Sequence, residues 1–359
     1  MNGSFGEVAR DTTEGVIVAH GSGARSTSTR RINRSPRARL RYLQRVFSAY
    51  LGNQPSQLTF WHEPPQINEN AFGPGAEEYY QQFFTKADYD VFVDGDGIPQ
   101  LDYRGHVGRQ YNPIAIAQWG LGNWNLWKRT GSPGRRERAR RAGDWLVRHL
   151  EPNAHGVPVW KHEFDWEYRD LLEKGWYSAL AQGQGLSLLC RMHRSSGDPR
   201  YLDAANAAFR SLLLPVDQGG VSLPDGDDGV WLEETIVDPP THILNGFLWA
   251  LWGVHDYAQA SQDPAAADLR ERCLRTVKRH LDDYDCGFWS LYEQSGTRMP
   301  MLASGFYHAL HISQLRVTAR LLDVPELART ADRWEDYAAR PSCAHRALAC
   351  KAVFKVLYY

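Results

Sequence analysis

This 359-residue chain lacks the marks of several common classes. Its five cysteines (Cys190, Cys273, Cys286, Cys343 and Cys350) form no CxxC pair and are odd in number. That speaks for a reducing compartment and against both a disulfide framework and a zinc site. No apolar run approaches the roughly 18–20 residues needed to span a bilayer, and no charged start followed by an apolar segment marks a secretory signal. A soluble protein, cytoplasmic in location, is expected. Neither charge sign dominates: 41 Lys and Arg against 42 Asp and Glu leave a net charge of −1, whereas a nucleic-acid binder is normally plainly basic. There is no Gly-rich phosphate loop, and without a GxSxG elbow a nucleophile-plus-base hydrolase is not signalled.

What the chain has in excess is aromatic side chains: 13 Trp, 17 Tyr and 13 Phe. Core packing is the first reading and stacking on sugar rings the functional alternative. Residues 1–36, rich in Gly, Ser, Thr and Arg, read as a flexible basic arm. A short amphipathic helix follows from Arg37 to Leu51, with Leu40, Leu43, Val46 and Phe47 as its apolar positions. Up to residue 105 the pattern changes to short apolar runs. Tyr89–Val93, a turn at Asp94-Gly95-Asp96-Gly97 and a return strand predict a small β-hairpin. The DGDG turn invites a structural calcium ion, but it lacks the glutamate and ligand spacing of an EF-hand loop, so a plain turn is favoured and no cofactor is expected.

Beyond residue 106 the sequence becomes helical and repeats. Helix starts at Tyr111, Tyr177, Thr241 and Tyr307 each lie about 65 residues apart. Each is followed by a second helix, around 135–150, 201–214, 265–281 and 325–339. The first helices are rich in small and apolar residues and the second carry more charge, which separates inner from outer members. Four αα-hairpins of this kind make a mainly α chain, an α/α toroid over 106–340, with ligands expected in a central cleft lined by inner-helix starts and connecting loops. The tail at 341–359 has no clear relation to the repeats.

Three connecting loops hold the reactive side chains. The first carries Lys161, His162, Arg169, Lys174 and Tyr177. The second carries Glu233, Glu234, His242 and Asn245. The third, Tyr284–Leu315, carries Tyr292, Arg298, Tyr307, His308 and His311. His308 and His311 are spaced i, i+3, yet no acidic third ligand lies nearby, so they read as hydrogen-bonding groups rather than a metal pair. Glu233 and Glu234 are adjacent, and neighbours in an extended segment point to opposite faces. They cannot by themselves form the facing pair of a glycosidase, whose second carboxyl would come from Glu163, Asp165 or Glu293.

Five stretches, YNPIAIAQWGL (111–121), GWYSALAQGQ (175–184), Glu-Glu leading to LNGF (244–247), YDCG with SLYE (284–293) and YHALHISQL (307–315), resemble the C-terminal catalytic region of D-glucuronyl C5-epimerases, the enzymes of heparan sulfate and heparosan modification, in family order. The resemblance implies a bacterial member with the α/α barrel, often a homodimer, acting on an anionic uronate polysaccharide. It makes Glu234, Tyr292 and Tyr307 catalytic and puts Asn245 at the substrate. Gln118, Tyr177, Lys161, Arg298, His308 and His311 complete the expected substrate-binding set. Two positions depart from the family: Thr235 where a tyrosine is expected, and Ser295 where an arginine is expected.

The chemistry implied is removal of the proton at C5, beside a carboxylate, and its return on the opposite face. The developing charge lies on the carboxylate oxygens and calls for a cation placed beforehand. His308, His311, Arg298, Lys161 and Lys174 are the candidates. Glu234 suits the base on one face and Tyr307 the donor on the other, with Tyr292 orienting the ring or sharing that role. A uronate polysaccharide lyase shares the first step, and a non-catalytic saccharide-binding barrel is the alternative from another class.

Overall fold

A computed structural model describes residues 60–168 and 170–358. The arm expected at 1–36, the short helix expected at 37–51 and Arg169 lie outside the described residues. Eight helices pair in sequence order: α1 (Pro113–Thr130) with α2 (Pro133–Arg148), α3 (Ala179–Ser196) with α4 (Pro199–Leu213), α5 (Leu244–Ser261) with α6 (Pro264–His280), and α7 (Gly305–Leu321) with α8 (Pro325–Ala338). The tail forms α9 (Pro341–Tyr358), packed on α8.

Local chemistry sets these boundaries. α1 and α3 stop at Gly131 and Gly197, both at φ +68°, the left-handed conformation that costs glycine little. Every outer helix restarts on a proline (Pro133, Pro199, Pro264, Pro325), whose fixed φ and missing N–H suit a first helical position. The inner members lose their polar face: α1 is buried without a break from Pro113 to Asn125. α2 buries only Ala139, Ala142, Gly143, Trp145 and Leu146. Hydrophobic burial of one stripe is enough for an outer helix, while an inner one is enclosed by the ring.

α1 packs on α3, α3 on α5, and α5 on α7. The α3–α5 approach depends on glycine, because a Cβ on Gly183 would lie 2.5 Å from the Cα of Ala250. Between α7 and α1 runs a non-repeat segment, residues 60–88. Its α-helical turn, Phe84–Ala87, packs on α1. Asn125 of α1 donates to the Gln81 carbonyl at 2.8 Å, Gln81 Nε2 donates to Ser313 Oγ of α7 at 3.2 Å, and Arg320 of α7 pairs with Glu69 at 2.8 Å. The fold is thus a four-hairpin α/α toroid, mainly helical, with this segment closing the gap between its last and first inner helices.

The β structure is slighter than expected. Around the DGDG turn the pairing is one bridge, Val93 with Pro99, with Gln100 N donating to Phe92 O at 2.8 Å. Pro99 has no N–H to extend a ladder there. The return strand instead pairs onward, Leu101–Asp102 with Arg109–Gln110. Asp94 organises the turn, accepting from the N–H groups of Asp96 and Ile98 and from the Tyr111 hydroxyl at 2.6 Å. Two-residue ribbons (151–152 with 158–159, 161–162 with 176–177, 166–167 with 171–172) stiffen the first connecting loop, and 222–225 with 229–232 the second.

Candidate active site

A cavity of about 230 Å³ opens at the N-terminal ends of the inner helices. All four contribute to its wall: Asn112 and Ile114 from α1, Ser178 and Leu180 from α3, Ile243, Asn245 and Trp249 from α5, Phe306 and Tyr307 from α7. Asn112, Ser178 and Ser304 cap three of these helices, accepting from the N–H groups of Ile114 and Ala115, of Ala181, and of Tyr307. Helix N-termini carry partial positive charge, so their convergence favours an anionic ligand. The loops add Phe164, Trp166, Tyr168 and Trp176, then Glu234 and Thr235, then Tyr292; the closing segment adds Trp61 and Lys86.

Glu233 and Glu234 do point apart. Glu233 turns inward, hydrogen-bonded by the Nδ1 and the backbone N–H of His242, whose ring stacks on Trp231 at 4.4 Å. Glu234 lines the cavity, and Asn245 Nδ2 donates to its Oε2 at 3.3 Å. Gly246 follows Asn245 in the first turn of α5, and a Cβ there would lie 2.1 Å from Glu234 Oε2. The Asn-Gly pair of LNGF thus holds the carboxyl with one residue and makes room for it with the next. Burial, followed by the nearby Glu233 and Glu293 carboxylates, pushes Glu234 up to about 8, against the hydrogen bond from Asn245. Near pH 7 such a carboxyl is mostly protonated.

The Tyr292 and Tyr307 rings meet at 4.8 Å with 63° between their planes. Tyr292, 8% exposed, is held well above the usual phenol range by burial, then by the charge of Glu234 and the neighbouring phenols Tyr307 and Tyr168. It is a proton donor at any physiological pH. Thr235, in place of the expected tyrosine, bonds Thr241 through the hydroxyls at 2.9 Å. Ser295 does not substitute for an arginine: its hydroxyl donates to Glu293 Oε1 at 2.7 Å, and the Tyr168 hydroxyl donates to the other oxygen. Tyr168 brings a further phenol to the cavity from a different loop, as does Tyr103.

The expected cations are elsewhere. His308 lies behind the wall, its Nδ1 bonded to Ser290 Oγ (2.8 Å), its Nε2 to Trp334 O (2.9 Å) and its ring stacked on Trp289. Burial lowers it to about 4, so it is neutral. His311, fully buried one turn deeper, shares Ser290 Oγ at 3.0 Å and is held well below the usual imidazole range by burial, then by His308 and Lys351. Lys161 pairs with Glu151 at 3.4 Å, Lys174 with Glu163 at 3.6 Å, and Arg298 is exposed on its loop; none lines the cavity. Tyr177 is half-buried outside it, its hydroxyl beside Asn153. Gln118 sits beneath the wall and accepts from Lys86 Nζ at 2.9 Å.

Lys86 is the cation that residue order did not reveal. It is 5% exposed, lines the cavity and lies over Phe60 (4.6 Å), Trp61 and Phe83 (each 5.3 Å). Burial lowers it to about 7, with Glu63 opposing. The only hint in sequence is a lysine set among aromatics in FFTKADY. The aromatic excess is divided between two places: Trp124, Trp160, Trp252 and Trp334 are core, while Trp61, Trp166, Trp176 and Trp249 line the cavity.

The family described as D-glucuronyl C5-epimerase C-terminus matches residues 154–336. The chain is 31% identical to the D-glucuronyl C5-epimerase of Caenorhabditis elegans over 220 residues, 57% of this chain and 35% of that protein. It is also 31% identical over 160 residues to an uncharacterized protein of Methanocaldococcus jannaschii, covering 44% of this chain and 50% of that one. The chain thus spans about a third to a half of the length of these relatives. Among solved structures, unsaturated glucuronyl hydrolase from Bacillus sp. GL1 is 18% identical with a TM-score of 0.42, covering 61% of each chain. Cellobiose 2-epimerase from Spirochaeta thermophila is 18% identical with a TM-score of 0.39, covering 58% of this chain and 52% of that one. No helix among the described residues is long and apolar enough to cross a membrane. With more than half of its residues inside the matched region, and with Glu234, Asn245, Tyr292 and Tyr307 of the quoted stretches gathered at one cavity, the chain belongs to the D-glucuronyl C5-epimerase C-terminal family.

Proposed function

We propose that this protein epimerises D-glucuronate to L-iduronate at C5 within a heparosan- or heparan-type polysaccharide. The observation that supports this most is Glu234, a carboxyl tuned to about 8, sharing a cavity with the high-pKa phenol of Tyr292 and with Tyr307. A base poised near the operating pH is well matched to a weakly acidic C–H. Glu234 takes the C5 proton on one face, and a phenol returns one on the other, with Tyr307 as the donor and Tyr292 beside it. The partial charges of four helix N-termini oppose the charge that builds on the substrate carboxylate. Trp61, Trp166 and Trp176 offer faces for sugar rings. No step in this scheme requires a bound metal or cofactor.

Incubating heparosan with the protein in D₂O and following C5 by NMR tests the reading: deuterium enters at C5 and iduronate signals grow. Absence of exchange into any uronate overturns it, and absorbance from an unsaturated uronate would assign the site to β-elimination instead. A homodimeric state and a cytoplasmic location belong to the same proposal, and light scattering and cell fractionation test them.

A further inference from the structure

We propose that Lys86, positioned by Gln118, is the counter-ion of the uronate carboxylate in the cavity. This rests on the uronate reading above and goes beyond it: residue 86 lies outside the matched family region, 154–336, and no expected cation reaches the site.

A buried ammonium is expensive unless paired, because leaving water costs several kcal/mol even after relaxation. Lys86 is almost fully buried and forms no ion pair with any described residue; its one hydrogen bond goes to the neutral amide of Gln118 at 2.9 Å. An ammonium has three donors, and two of them make no hydrogen bond to the described residues. Glu63 stands near enough to be felt, but its Oε1 accepts from the Thr85 N–H at 2.8 Å and it makes no ion pair with Lys86. The other charged or titratable group sensed on this segment is His62, which Lys86 itself helps keep neutral after burial. Glu234 is the carboxyl on the same cavity wall, and its raised pKa leaves it mostly protonated near pH 7. The aromatic rings of Phe60, Trp61 and Phe83 around the ammonium hold it in place and keep water out. A carboxylate entering the cavity supplies the missing partner, and as C5 loses its proton the added negative charge spreads onto those same oxygens. The interaction is therefore stronger in the transition state than in the ground state.

The test uses three measurements on the full chain. Wild type is expected to bind a heparosan oligosaccharide at least tenfold more tightly than the same oligosaccharide with its carboxyls reduced to primary alcohols. Lys86→Met, which keeps the apolar stem, is expected to bind both alike and to lose about 10²- to 10³-fold in the rate of C5 exchange. Its melting temperature is expected to be equal to or above that of wild type, because a buried unpaired charge is gone; a merely structural lysine would lower it. Lys86→Arg, retaining charge, recovers part of the carboxylate discrimination and serves as the control if Lys86→Met folds poorly. Full exchange and undiminished discrimination in Lys86→Met overturn the assignment, as does a wild type that binds both oligosaccharides equally. A wild type that discriminates between them through Lys86 yet exchanges no proton keeps the clamp and overturns the epimerase reading instead.

Discussion

Replacing Gly246 with alanine displaces Glu234 without removing any polar group. The new Cβ would stand 2.1 Å from Glu234 Oε2, 2.7 Å from its Cβ and 2.8 Å from its Cδ. A carboxylate could swing clear by itself, but contact with Cβ means the whole side chain must move, and shortening it to aspartate brings no relief. Restoring ordinary contact at about 3.4 Å needs a shift of roughly 0.6–0.7 Å. A displacement of about 1 Å at a reacting group costs on the order of 10²-fold, so Gly246→Ala is expected to lose about 10- to 100-fold in kcat/KM, or ~1.4–2.7 kcal/mol of transition-state stabilisation. Stability should hardly change, because alanine in a helix gains about 0.5–1 kcal/mol over glycine and offsets part of the clash. C5 exchange by NMR and a thermal melt read the two quantities separately. Unchanged kcat/KM, or a large fall in melting temperature with activity lost in proportion, would refute the reasoning.

The pH dependence follows from two oppositely shifted groups. Productive enzyme needs Glu234 ionised and Lys86 charged, so kcat/KM should be bell-shaped with its maximum between about 7 and about 8; a plateau extending well above pH 9 would exclude Lys86 from the reaction. Stability has the opposite linkages. Folded Glu234 holds its proton above its unfolded value, which lowers stability as pH rises from about 4.5 to about 8, and folded Lys86 releases its proton early, which raises stability from about 7 to about 10.5. Denaturant titrations of Glu234→Gln and Lys86→Met should each lose one of these slopes. His308→Ala removes a stacked ring and three hydrogen bonds, so it is expected to lose about 2–4 kcal/mol of stability while keeping kcat/KM wherever it is folded; a selective loss of activity would return His308 to the site. Gly183→Ala drives a Cβ against the α5 backbone and should cost about 1–3 kcal/mol in a thermal or denaturant melt, with no change if the inner helices can slide apart.

The repeat was legible because its causes are local. Small residues mark the inner helices, charge marks the outer ones, and each outer helix follows a proline. The placement of Glu234 at the cavity was legible for a related reason: Glu234 and Asn245 sit on either side of a helix start, where a loop and a first turn must meet. The lysine at the cavity was not. Lys86 lies in a stretch of turns and short apolar runs, 32 positions before the glutamine it touches, and only the closure between α7 and α1 brings that stretch to the cleft. The imidazoles misled because their spacing defines a shared helix face without saying whether the face meets solvent, substrate or core; Trp289 and Trp334 decide that they meet core. Ser295 and Thr235 show the same limit, since the lysine and the further phenol that do line the cavity, Lys86 and Tyr168, come from elements distant in sequence.

The segment at 60–88 gives the protein an asymmetric division of labour. Four similar hairpins supply walls and converging dipoles, but a single irregular stretch wedges the ring and carries Trp61 and Lys86 to the cleft. A shorter or longer wedge would alter the width of the cleft while leaving each hairpin's own packing intact. Substitutions along it could exchange one bound anion for another, or for a neutral sugar, without disturbing Glu234 or the phenols. The scaffold's adjustable part is the piece that does not repeat, so redesign of substrate preference would begin there rather than in the barrel.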